Sequence, residues 1–139
     1  MTQTSSPPPI STATDPIHCA EDMLARWRAL MGPLGFGERL LWVGFVGANR
    51  CMLKVLSQVP VGPSPHRDFV ENLMGGLMVL LDEDFAPGTS VALLLSRPGS
   101  DPVSHSDRRW AAVLTDAASR VGVRLEPLFR ANDAAILPL

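Results

Sequence analysis

The chain has 139 residues, 46% of them hydrophobic, which suits one domain with a single core. Only 19% are charged and the formal net charge is -2, so no basic excess points to nucleic acid and no charged tail is indicated. No uncharged apolar run reaches the ~18 residues of a membrane span, and the first residues lack the basic start and apolar stretch of a signal peptide. The expectation is a cytoplasmic protein away from the membrane. Cys19 and Cys51 lie too far apart in sequence to suggest a disulfide framework.

Residues 1–14 (MTQTSSPPPISTAT) are polar with three consecutive prolines, a composition that predicts a disordered tail before a single domain over 15–139. Asp15-Pro16 has the form of a helix start, and Met23, Trp27, Leu30, Met31 and Leu34 follow at helical spacing. Gly32-Pro33 and Gly35 to Gly37 stop that helix. Leu40 to Val46 is rich in strand formers but alternates poorly, so it reads as a strand covered on both faces. A turn at Gly47 to Arg50 and a returning strand over Cys51 to Pro60 complete a hairpin.

Pro65 to Leu81 predicts a second helix, with Phe69, Leu73, Leu77 and Leu80 on one side. Gly75-Gly76 sits inside it, which suggests very close packing by a neighbouring element. Ser90 to Ser96 (SVALLLS) is a continuous apolar run, as in a central strand buried on both faces. A third helix begins within Ser104 to Asp107, carries Trp110, Val113, Leu114, Ala117 and Val121 on one face, and ends at Gly122. Val123 to Phe129 and Ala135 to Leu139 read as two last strands, the second at a sheet edge that its shortness and Pro138 blunt, with docking of a partner strand there as the alternative. The order α-β-β-α-β-α-β-β predicts a three-layer α/β/α domain with a mixed sheet.

Between the buried strand and the third helix lies Leu95-Ser96-Arg97-Pro98-Gly99-Ser100-Asp101-Pro102-Val103-Ser104-His105-Ser106-Asp107. This run resembles the metal-site loop of the RadC branch of the JAB/MPN (JAMM) metalloprotease superfamily. There a strand leads into a His-x-His, a proline, a Ser-Gly-Asp-Pro-like loop, and then a serine with an aspartate three residues later. Pro98, Asp101, Pro102, Ser104 and Asp107 fit that pattern, with one residue fewer between proline and serine. Val121 to Leu125 is similar to the family's helix end and following strand, and the element order agrees over residues 17–139.

The resemblance implies a zinc ion held by two histidines and the aspartate, with a water activated by a glutamate near the first strand. The corresponding positions carry Leu95, Arg97 and Asp107, and Glu38 is nearest to the glutamate. Leucine has no lone pair, and a guanidinium is permanently charged and cannot ligate a cation. Without a metal, a bound water keeps its high pKa and the glutamate has little to deprotonate. The expectation is a domain with no zinc, no other cofactor and no catalytic residue, acting in protein interaction or as a scaffold, with an unidentified protein partner or a second copy of itself. A metallopeptidase with a rebuilt zinc site and a DNA-repair-associated protein stay open as alternatives.

Other constellations in the loop have plainer readings. Ser104 and Asp107 form Ser-x-x-Asp, a near capping box for the third helix. His105 lies two residues before Asp107, while His66 and His18 open the other helices without zinc-ligand spacing. Ser104, His105, Arg108 and Arg109 are candidate contacts for a ligand at this loop, and Arg97, Arg108 and Arg109 together suggest an anion-attracting cluster. Charge balance adds one structural expectation: Arg97 takes the cation position, its guanidinium facing Asp107.

Overall fold

A computed structural model describes residues 6–139. The helices are α1 (Ala20–Met31), α2 (Arg67–Glu83) and α3 (His105–Val121); the strands are β1 (Leu40–Val46), β2 (Met52–Pro60), β3 (Ser90–Ser96), β4 (Phe129–Ala131) and β5 (Ile136–Pro138). The strands form one mixed sheet in the order β2-β1-β3-β4-β5. β3 pairs antiparallel with β1 and parallel with β4; the β1–β2 and β4–β5 pairs are antiparallel.

The two sheet faces follow from side-chain alternation along a strand. Leu41, Val43 and Phe45 of β1 and Val91, Leu93 and Leu95 of β3 share a buried cluster with Val70, Met74 and Leu77 of α2 and Trp110 and Leu114 of α3. Ala92 and Leu94 point the other way, into a second cluster with Met23 and Trp27 of α1. The result is a three-layer α/β/α domain in the expected order. β3 lies at its centre, every residue buried, and Leu40 to Val46 is largely covered on both faces as its poor alternation suggested.

The ends of the elements hold the corrections. Residues 1–5 of the expected tail lie outside the described residues, but Ile10–Thr14 forms a short 3-10 helix with Ala13 buried. Arg26 of α1 meets it by donating to the Thr12 carbonyl at 2.9 Å. Asp15 closes that turn rather than opening α1, which begins after Cys19. Between them Ile17 is buried, and its N–H donates to the Arg50 carbonyl at 2.7 Å, tying the entry to the hairpin turn.

Val123 to Phe129 is not one strand. Leu125 makes an isolated parallel bridge to Val91, and regular pairing starts only at Phe129. Pro127 has no N–H to continue a ladder, and the Glu126 side chain is engaged by Arg50.

Gly75 and Gly76 do not mark a close approach. A Cβ built at either meets nothing within 4 Å. Gly76→Ala is therefore expected to raise stability by up to ~1 kcal/mol through helix propensity alone. A urea midpoint that stays put or falls in this variant contradicts the open surroundings of that position.

Candidate functional site at the end of the central strand

The site forms where β3 leaves the sheet. Arg97 follows Leu95 by two residues, so its side chain emerges on the α2/α3 face, beside the N-terminus of α3. That N-terminus is closed by a full capping box: the Asp107 N–H donates to Ser104 Oγ at 3.1 Å, and the Ser104 N–H donates to Asp107 Oδ2 at 2.9 Å. Capping draws Asp107 out of solvent, to 0% exposure. A carboxylate so deeply buried needs a charged partner.

Arg97 is that partner. Its Nε donates to Asp107 Oδ1 at 2.9 Å and its Nη2 to Asp107 Oδ2 at 2.7 Å. The other edge of the guanidinium holds Asp101, with Nη1 to Oδ1 at 2.8 Å and Nη2 to Oδ2 at 3.0 Å. Both contacts are bidentate forks, the geometry that guanidinium and carboxylate favour. The Pro-Gly-Ser-Asp-Pro loop thus wraps around an arginine. Gly99, at φ 110°, makes that wrap, because a Cβ there would sit 3.0 Å from Asp101 Oδ1 in a backbone conformation side chains rarely adopt. The Gly99 N–H donates to Asp133 Oδ2 at 2.9 Å, and Asn132 Nδ2 donates to the Asp101 carbonyl at 2.8 Å, so the turn between β4 and β5 staples the loop.

The electrostatics follow from these contacts. Burial pushes the Asp107 carboxyl up, but the Arg97 fork and the Ser104 N–H outweigh it and hold the pKa below the ordinary value. The Arg97 fork likewise lowers Asp101, and hydrogen bonds to Asp107 and then Asp101 raise Arg97. At the far end of β3, Glu126 is lowered by its bidentate bond to Arg50, against burial, with a further bond from Ser90 Oγ.

Asp107 and Glu126 have folded pKa values below their unfolded values near ~4. The stability they add is fully present above that range and is lost as pH falls through the folded values. Stability is therefore expected to be flat with respect to these groups above about pH 5 and to drop below about pH 4. Urea midpoints that do not fall in acid, or fall equally in Asp107→Asn and wild type, contradict this.

The expected site residues do not all converge. Leu95 is buried in the α2/α3 cluster. Ser104 serves as the N-cap and Asp107 as both cap and ion-pair acceptor. His105 is the exposed first residue of α3. Arg97 is buried in its ion pairs, while Arg108 and Arg109 are exposed on α3, where Arg108 Nη1 lies 3.4 Å from the Val103 carbonyl. Glu38 is exposed. Among the described residues, no three His, Cys, Asp or Glu side chains come together as a metal-holding group.

Two arginines that sequence reasoning passed over do belong here. Arg130 of β4 pairs in register with Leu95 and is fully buried. Arg39 immediately precedes β1, whose Leu40 pairs with Ser96, so Arg39 stands across from Arg97. Burial is the main cause that lowers the pKa of both, and both feel the charges of Arg97, Asp101 and Asp107. The signal for Arg130 was in the sequence: in Phe129-Arg130-Ala131, alternation sends Arg130 to the face opposite Phe129.

The fold and site together define a class: a mixed-sheet α/β/α domain of JAB/MPN-like topology whose loop after the central strand closes around an arginine–aspartate pair. No protein-family model matches the chain, and no curated protein matches it. Among the described residues, no helix is long and apolar enough to cross a membrane.

Proposed function

We propose that the chain is a RadC-like JAB/MPN domain that has given up metal chemistry and serves as a protein-interaction or scaffold module. The supporting observation is the Arg97–Asp107 fork. A carboxylate that ligates zinc must offer an oxygen lone pair to the metal, and both Asp107 oxygens already accept from a guanidinium. The guanidinium stands where the resemblance puts a histidine ligand, and it repels a cation. Leu95, at the other such position, contributes only packing.

The edges of the sheet support an interaction role. β5 is short and ends at Pro138, whereas β2 is the opposite edge and runs over nine residues. Val55 and Leu56 are exposed on β2, which can accept an added strand. A protein partner, whether another polypeptide or a second copy, would dock there. Capture experiments with the wild type and with Val55→Glu/Leu56→Glu test this reading. A partner, or self-association, that the edge variant loses supports it. Equal capture by both proteins, or zinc-dependent peptidase activity in the purified wild type, contradicts it.

A further inference from the structure

Arg130 has a role still to be filled. Its Nη1 donates to the Asp101 carbonyl at 3.1 Å. Its Nε and Nη2, both buried, have no hydrogen-bond partner among the described residues. Those two N–H groups form one edge of the guanidinium and are spaced to meet the two oxygens of a single oxyanion group. Arg97 uses the same edge to hold Asp107.

Among the described residues, no carboxylate bonds to that edge of Arg130; Asp107 and Asp101 turn their oxygens to Arg97 instead. The charges show the same surplus. Arg39 and Arg130 share a field with Arg97, Asp101 and Asp107, so positive groups outnumber negative ones by one. Arg39 also has a buried Nη1 without a partner among the described residues, and it is only half-buried, as Asp101 is. The network therefore reaches the surface. A fully buried guanidinium edge left unpaired is costly, and an apolar side chain of similar size would avoid that cost.

We propose that Arg130, with Arg39 in the same charged network, anchors a binding site for one carboxylate group, carried by a small acid or by a peptide C-terminus. A single negative charge balances the surplus, whereas a phosphate dianion would overshoot it. The site follows from the strand-end arginines alone, so its failure leaves the interaction role standing.

The test is the melting temperature of the full chain in sodium acetate, with sodium chloride at matched ionic strength as the reference and inorganic phosphate as the competing chemistry. Acetate is expected to give a saturable rise beyond chloride. Arg130→Met should weaken it by at least about 30-fold, as for loss of a buried charge partner. Should Arg130→Met fail to fold, Arg39→Gln carries the comparison, and the broadening of the acetate methyl NMR signal by wild type gives a second readout. Competition by triglycine but not by triglycine amide assigns the site to peptide ends; competition by neither assigns it to small acids. No acetate effect beyond chloride, equal effects in wild type and the arginine variants, or an effect of phosphate without one of acetate overturns the proposal.

Discussion

Arg97→Met is expected to lower stability by ~3–5 kcal/mol, because it strips a fully buried carboxylate of the guanidinium that hydrogen-bonds both its oxygens. The loss comes from Asp107 rather than Asp101. Asp101 is half exposed and can fall back on water, and exposed pairs contribute little. Adding Asp107→Asn to Arg97→Met is expected to recover most of the loss, since asparagine removes the stranded charge and can still accept from the Ser104 N–H. The double-mutant cycle should therefore show strong coupling. A cost of under ~1 kcal/mol for Arg97→Met, or no recovery in the double variant, would mean that the pair is not what holds this end of α3.

Trp110→Ala is expected to cost a similar amount, ~3–5 kcal/mol, by a different mechanism. Trp110 is the large buried side chain that seats the first turns of α3 on the sheet. Its ring meets Phe69 of α2 edge-on at 6.5 Å between centroids, and its Nε1 donates to the Gly62 carbonyl at 3.2 Å. Truncation opens a cavity, which carries the cost, and removes the indole bond to that carbonyl, which water can replace at the exposed Gly62. Asp107 lies one helical turn before Trp110, so the same change should loosen the capping box. Faster amide hydrogen exchange at Ser104 and Asp107 in Trp110→Ala checks this link; unchanged exchange there breaks it.

The legible parts of the fold were those set by periodicity. Ser90 to Ser96 lacked polar interruption, and β3 has those bounds and is fully buried. The Ser104/Asp107 spacing gave the capping box, and Gly122 ends α3 as expected, in the left-handed conformation at φ 84°. The Arg97–Asp107 contact was also foreseeable, because a buried carboxylate needs a cation and the strand supplies one on the right face.

The illegible parts depended on long-range contacts. Nothing local in Ile10–Thr14 indicates that Arg26 will reach back to bind it. Nothing local in Gly75-Gly76 says that the helix face there is open. Arg39 looks like an ordinary surface arginine until the register sets it across from Arg97, and alternation alone turns Arg130 away from Phe129 without naming its neighbour, which the register shows to be Leu95. Arg108 and Arg109 looked like site residues because they are near Arg97 in sequence. They sit on exposed positions of α3 while Arg97 turns inward.

The proposed loss of metal chemistry meets its most direct test in metal analysis of the purified wild-type chain after incubation with zinc and removal of free ion. The guanidinium that engages both Asp107 oxygens predicts substoichiometric zinc, with no difference between wild type and Asp107→Ala. One zinc per chain that disappears in Asp107→Ala would contradict the proposal, since it would make Asp107 a metal ligand and Arg97 a displaceable lid over a working site.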